Sequence, residues 1–345
     1  MLLLDSILLK AFEQKASDLH ISYSSPLFIR RFGSLLKFDV EGFSPMETES
    51  LITEVLNDKE KELLKQKEDI DFSYDIPGKI RCRGNIFRQV RGGLDASFRL
   101  ISTKIPDSDE LGLPDIIDKF IDLHQGLVLL TGPAGSGKTT TLAYIVDSIN
   151  KKYKHHILTI EDPVEYVISN KESIVNQREI GKHTHTFEHA LRSALREDPD
   201  VIVIGELRDM ETVAMALKSA ETGHLVFGTL HTKDASSTVT RIVDVFPPDE
   251  QPQIRTILSE SLKGILSQTL IPRVDNQGMA LAYEILLYTP ALSNLIREDK
   301  TYNIPSIIQT GKHLGMTTMK ESIENLIQKN AVNEQALKLI YDYIE

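Results

Sequence analysis

The run Gly132-Pro133-Ala134-Gly135-Ser136-Gly137-Lys138-Thr139 has the spacing G-x-x-x-x-G-K-[ST], a pattern whose chemistry is to hold the phosphates of a nucleotide. Its glycines let the backbone curl tightly and turn N–H groups toward phosphate oxygens. Lys138 has the reach for the β- and γ-phosphates, and the Thr139 hydroxyl can ligate Mg²⁺. The flanks agree with this reading. Leu127-Val128-Leu129-Leu130 reads as a buried parallel strand, and Thr140 to Asn150 as a helix whose positive end faces the anion. Thr140, at the start of that helix, is counted with the cradle.

Three further turns follow apolar runs, the place where open α/β sheets put ligand groups. Ile157–Ile160 leads into Glu161-Asp162-Pro163-Val164-Glu165, three carboxylates in five residues stiffened by a proline. Alone, such a turn is more often plain surface; beside a phosphate loop the balance shifts to chemistry. Val201–Ile204 leads into Gly205-Glu206. A strand ending in a carboxylate is what P-loop hydrolases use to hold Mg²⁺ through water and to orient the attacking water. Gly205 occupies the position where many of them carry a metal-holding Asp, so Glu206 bears more of the task. Leu225–Leu230 is bracketed by His224 and His231. His231 emerges at the strand's carboxyl end, where it can sense the γ-phosphate or a neighbouring subunit, and His224 is nearer the start. A Zn²⁺ site lacks third and fourth ligands at suitable spacing. Phosphoryl transfer also asks for positive charge from outside the loop; Arg81, Arg83, Arg88, Arg91 and Arg99, clustered near position 100, are the source on offer.

The elements that must position these residues fall into two patterns. Up to about residue 100 a leading helix, with Leu4, Ile7, Leu8 and Phe12 on one face, precedes short alternating segments (27–32, 80–88, 96–100) and a charged helical stretch, Met46 to Lys67. That is an α+β module with an antiparallel sheet. Residues 105–112 read as a linker. From about 113 buried strands alternate with helices, which suits a parallel sheet covered on both faces, and the stretch after Pro290 is mostly helical. In a chain of 345 residues, 41% hydrophobic and 26% charged, this is an ordinary globular balance with room for two or three domains. No apolar run reaches the ~18 residues of a membrane span. The start lacks the basic n-region of a signal peptide, and Cys82 is the lone cysteine, so the cytoplasm is the expected compartment. A net charge of −11 speaks against a broad nucleic-acid surface.

Taken in order, Gly-Pro-x-Gly-Ser-Gly-Lys at 132–138, Glu-Asp-Pro-Val-Glu at 161–165, Gly-Glu-Leu-Arg-Asp at 205–209, and Thr-Gly-His with Gly-Thr-Leu-His-Thr at 222–232 resemble the Walker A, Asp, Walker B and His boxes of the RecA-like secretion-type ATPases. Within that family the resemblance is strongest to the pilus-retraction branch. Ala16-Ser17-Asp18-Leu19-His20, Arg241 to Pro247, Asn294 to Glu298 and Ile308 to Gly311 carry it from about residue 5 to 330. The chain has neither the extra N-terminal domain nor the tetra-cysteine insert usual in extension and secretion motors. Positions 291–294 read Ala-Leu-Ser-Asn where retraction motors show Ala-Ile-Arg-Asn, a departure that touches coupling rather than hydrolysis.

The resemblance implies an α/β protein: a PAS-like α+β domain over residues 1–101, a linker at 102–112, and a RecA-like P-loop domain over 113–345. The last has a parallel-rich sheet and a helical part from about 290. It implies a homohexameric ring that binds ATP and Mg²⁺ and works at the cytoplasmic face of the inner membrane, peripheral to it, on a pilus platform protein, without nucleic acid. In it Gly132 to Thr140 hold phosphate, Thr139 and Glu206 serve the metal, and Glu206 polarises water with Glu161 and Glu165 in support. His224 and His231 read nucleotide state, and Arg83 or Arg99 contacts the γ-phosphate. An extension or secretion motor without the zinc insert, a nucleic-acid motor and a non-hydrolysing scaffold are the alternatives.

Overall fold

The computed structural model describes residues 2–40, 42–90 and 92–338. Within it the chain forms two compact units, Met1–Lys104 and Ile105–Glu345.

The first unit runs α1 (Leu3–Glu13), β1 (Asp18–Ile21), β2 (Phe28–Arg31), β3 (Ser34–Lys37), α2 (Pro45–Thr53), α3 (Asp58–Gln66), β4 (Asp69–Ile76), β5 (Ile80–Arg88) and β6 (Leu94–Ser102). Helical spacing puts Leu4, Ile7, Leu8 and Ala11 of α1 in the core. The charged stretch 46–67 is two helices rather than one. Asn57 caps the second by accepting from Glu60 N–H at 2.9 Å while the Glu60 carboxylate accepts from Asn57 N–H at 2.9 Å, and such a capping box starts a new helix wherever it occurs. The strands pair antiparallel in the order β3-β2-β1-β6-β5-β4. On β5, Ile80, Cys82 and Ile86 are buried, so period-two alternation turns Arg81 and Arg83 to the opposite face. Gly84 shares the inner face because the Phe72 ring fills the space a Cβ would need, at 2.4 Å.

The second unit continues with α4 (Ser108–Leu111), α5 (Asp118–Ile121), β7 (Gly126–Thr131), α6 (Lys138–Lys152), β8 (His156–Glu161), β9 (Ile174–Glu179), α7 (Phe187–Ala194), β10 (Val201–Ile204), α8 (Met210–Glu221) and β11 (Leu225–Leu230). It ends with α9 (Ala235–Asp244), α10 (Gln251–Ser261), β12 (Leu262–Pro272), β13 (Met279–Leu287), α11 (Pro290–Arg297), α12 (Ile304–Thr310) and α13 (Met319–Gln328). Part of the stretch read as a linker is helical: Asp107 caps α4, and Gly112, at φ 68°, ends it.

Seven strands order as β13-β12-β7-β11-β10-β8-β9. All are parallel to their neighbours except β13, which returns antiparallel on β12. The sheet is therefore mixed rather than wholly parallel. A short connection between β12 and β13 permits only the antiparallel return, because a parallel one needs a long crossover. Every residue of β7, β10 and β11 is buried, and each large aliphatic side chain so placed contributes about 1.5–3 kcal/mol.

Candidate functional site

The order β7-β11-β10-β8 sets three loops beside the phosphate loop, all at the carboxyl end of the sheet. From the end of β7 the chain enters the loop at Gly132, whose φ is 137°. A Cβ there would lie 2.2 Å from the Gln268 carbonyl oxygen and 2.7 Å from Ser136 Oγ, so only glycine lets the loop pass. Gly137, at φ 90°, hands the chain to α6. Lys138 is buried and donates to the carbonyls of Gly132 at 2.6 Å and Pro133 at 2.9 Å. Burial lowers its pKa, and the charges of Glu206 and Glu165 oppose that shift. Both carboxylates thus act on the lysine. Ser136 Oγ is buried with no hydrogen-bond partner. A buried hydroxyl in want of a partner and a lysine satisfied only by its own loop fit an anion bound in this cradle.

Glu206 follows β10. Its Oε1 accepts from Arg208 Nε at 2.6 Å and lies 3.3 Å from His231 Nε2. Burial pushes its pKa up, but Arg208 and His231 outweigh burial and hold the carboxyl below its usual range. The loops are stitched together by backbone bonds, Gly205 N–H to Ile160 O at 2.8 Å and Leu207 N–H to Thr229 O at 2.9 Å. Gly205 has a structural reason. A Cβ would meet the Ile160 carbonyl oxygen at 3.1 Å and Glu161 Cα at 3.2 Å, so any side chain here would press on the backbone of the β8 turn, which would have to give by a few tenths of an ångström.

Glu161 accepts from Thr159 Oγ1 at 2.6 Å and Gln177 Nε2 at 3.2 Å. Burial raises its pKa and favours the protonated form, while the two donors fix the carboxyl in the turn. Tyr166, just past Glu165, donates to Thr140 Oγ1 at 3.3 Å and so docks this turn on the first turn of α6. Thr139, Glu161 and Tyr166 line one small cavity of about 20 Å³, room for a single water.

Lys138, Thr139, Glu161, Glu165, Glu206 and His231 thus converge on one region. His224 does not. It lies at the amino end of β11, whose six residues separate it from His231, a span of roughly 20 Å at strand rise. There it is half-buried, with Nδ1 3.0 Å from the Ser219 carbonyl. With His124, His155 and Asp200 it lines a cleft of about 270 Å³ at the amino end of the sheet's strands. Within this chain His224 is therefore not part of the Lys138–Glu206 cluster, because the length of β11 separates the two histidines of the motif. Arg83 and Arg99 belong to the first unit, where they are direct cross-strand partners on β5 and β6. Arg91 lies outside the described residues. Arg208 was not singled out from the sequence. Its position two residues after Glu206, on the same turn, was the available signal.

Among the described residues no group of three or more His, Cys, Asp or Glu is arranged to hold a metal. Mg²⁺ needs no such cage, since it is typically held by one or two protein oxygens, substrate phosphates and waters. The Thr139 hydroxyl and the ionised Glu206 fit that mode.

The family described as Type II/IV secretion system protein matches residues 1–340. The type IV pilus retraction ATPase PilT of Pseudomonas aeruginosa is 47% identical over 323 residues, 94% of this chain and 93% of that protein. The twitching motility protein of Neisseria gonorrhoeae is 45% identical over 323 residues, 94% of this chain and 86% of its own length. A crystal structure of the pilus retraction motor PilT with bound ADP superposes with a TM-score of 0.85 at 44% identity, covering 97% of this chain and 95% of that one. The phosphate cradle and the Glu206 centre therefore sit in a fold shared throughout its length with these proteins, and the chain belongs to the Type II/IV secretion system protein family.

Proposed function

We propose that the chain is an ATP-hydrolysing motor that powers type IV pilus retraction and hence twitching motility. The observation that carries this reading is Glu206, held ionised between Arg208 and His231 beside the Lys138 cradle. A carboxylate kept ionised there can orient a water at the γ-phosphate, and a lysine whose present partners are loop carbonyls can turn to the β- and γ-oxygens. Mg²⁺ brought with ATP would be held by Thr139 and, through water, by Glu206, and would supply positive charge to the phosphates. Glu161 and Glu165 shape the turn beside it. Arg83 or Arg99 is the further cation at the γ-phosphate.

His231 shares the Glu206 oxygen, so loss of the γ-phosphate changes a contact both residues feel, the kind of local event that releases a larger motion. The reading extends to a homohexameric ring acting on an inner-membrane platform protein from the cytoplasmic side, peripheral to the membrane, with no nucleic acid involved. In support, no helix among the described residues is long and apolar enough to cross a membrane, and the similar proteins named above are pilus and twitching proteins.

The test is Mg²⁺-dependent ATP turnover by the purified chain beside Glu206→Gln and Lys138→Ala. Glu206→Gln is expected to bind ATP and lose turnover by on the order of 10²-fold or more; Lys138→Ala is expected to lose binding as well. Wild-type turnover no faster than Glu206→Gln would sink the assignment. Normal pilus retraction in cells lacking the chain would sink the retraction role while leaving the ATPase.

A further inference from the structure

A row of polar side chains crosses the sheet from the phosphate loop to its far edge. Thr131, the last residue of β7, is in register with Ser267 of β12, and Ser267 with Glu284 of β13. Residues in register share a face of the sheet. Thr131 Oγ1 donates to Ser267 Oγ at 2.8 Å in a buried bond, and two strand spacings, about 10 Å, separate Thr131 from Glu284. Glu284 ends the row against α9. Its Oε1 accepts from the N–H of Ala235, the first residue of α9, at 2.9 Å, and its neighbour Tyr283 donates its N–H to Ser322 Oγ of α13 at 3.0 Å. The carboxylate thus serves the N-terminus of α9, whose orphan donors and positive end favour an anion.

That helix begins four residues after His231. The segment between them is short and tied at both ends: His231 to Glu206, and Asp234 and Thr238 to each other, with Thr238 Oγ1 donating to the Asp234 carbonyl at 2.6 Å. We propose that Glu284 is a positioning residue for the nucleotide site: by clamping the start of α9 it holds the His231 segment against Glu206 and, through β13, ties that segment to α13.

The clamp is built to respond to protonation near neutrality, since burial pushes the Glu284 carboxyl up to about 7 and the charge of Asp234 pushes the same way. The other ionisable groups on the elements packed against it are engaged elsewhere. Glu321 and Lys320 of α13 pair with Lys312 and Glu324, Lys263 of β12 lies over the Tyr288 ring, and Tyr283 is the next residue on β13, pointing to the other face. Arg241 and Asp244 are at the far end of α9.

The activity arm of the test rests on the ATPase reading; the exchange arm does not. Hydrogen exchange of the full chain is followed at residues 232–240 for wild type and Glu284→Gln, at pH 6 and pH 8, corrected for intrinsic rates. At pH 8 Glu284→Gln is expected to exchange on the order of ten-fold faster there, because a charge-assisted bond becomes a neutral one. Wild type at pH 6 is expected to resemble the variant. Equal exchange of both proteins at pH 8 overturns the proposal, and the wild-type pH comparison stands on its own where the variant does not fold. In the activity arm, wild-type kcat is expected to rise several-fold from pH 6 to 8 with KM for ATP little changed, and Glu284→Gln to stay flat and low. A variant with the wild-type profile overturns the positioning role. No wild-type turnover at all counts against the ATPase reading and leaves the exchange result to decide on Glu284.

Discussion

Glu206 faces two opposing demands. In the proposed role it must be covered enough to meet a γ-phosphate away from bulk water, and covering a carboxylate favours its neutral form. Arg208 and His231 resolve the conflict by holding the group ionised. The sign of a test follows directly. In Arg208→Ala the largest remaining influence is burial, so the Glu206 pKa rises and the acid limb of the pH–rate profile moves to higher pH. Turnover is expected to fall most at the acid end and least at pH 8. A profile that keeps its acid limb, with kcat lowered uniformly, would mean that Arg208 acts on substrate rather than on Glu206. The same scale explains Gly205. An Asp there would crowd the Ile160 carbonyl and the Glu161 backbone, and the carboxylate that this turn carries is Glu206.

At the scale of elements, β5 and β6 place Arg83 directly opposite Arg99. Like charges so placed repel, by about 0.2–1 kcal/mol. Arg99 has relief from Asp18 at 3.2 Å, its partner on β1, in an exposed pair that contributes little. In the proposed role Arg83 is a cation for the nucleotide rather than for the sheet. Arg83→Ala is therefore expected to leave the melting temperature unchanged or slightly higher while lowering ATP turnover by tenfold or more. A melting temperature lowered in proportion to activity would make Arg83 structural.

Elements also mark what the sequence could and could not disclose. β7, β10 and β11 are legible because total burial writes them as unbroken apolar runs. β9 (Ile-Val-Asn-Gln-Arg-Glu) is an edge strand, only part buried, and its composition carries no such signal. β12 and β13 escaped notice because Ser267, Gln268 and Glu284 break their apolar pattern. Those polar residues are there for the phosphate loop and the start of α9: Gln268, for instance, donates to Thr141 Oγ1 at 2.9 Å. The strands hardest to read are the ones that serve the site. His224 shows the converse, a residue legible as part of a motif but set by strand length at the opposite end of β11 from His231.

For the molecule as a whole, stability and function pull on pH in different directions. Several carboxyls are held low. Burial would raise Asp147, but Lys151 and Lys171 outweigh it; Glu206 is held low by Arg208 and His231 against its burial. Groups of this kind give stability that is present above their unfolded pKa and lost as pH falls through the folded one. Glu284 has the opposite sign. Its folded value of about 7 stands above the ordinary 4.5, so the native state holds a proton that the unfolded chain gives up. Stability from this group is full below about 4.5 and declines as pH rises toward 7. The carboxylate that the site calls for is thus the form the fold tolerates least, a common relation between a site and its scaffold. Glu284→Gln keeps an acceptor for Ala235 N–H without the buried charge. Thermal unfolding of the two proteins is expected to coincide at pH 5. At pH 8 the variant is expected to be more stable by on the order of 1 kcal/mol, allowing for solvent at a partly covered site, or a few degrees in Tm. Global unfolding and fraying of helix starts are separate openings, so a variant can melt later and still exchange faster at α9. A variant less stable than wild type at pH 8 would show that the bond to the start of α9 outweighs burial, and that the charge at Glu284 serves fold and site alike.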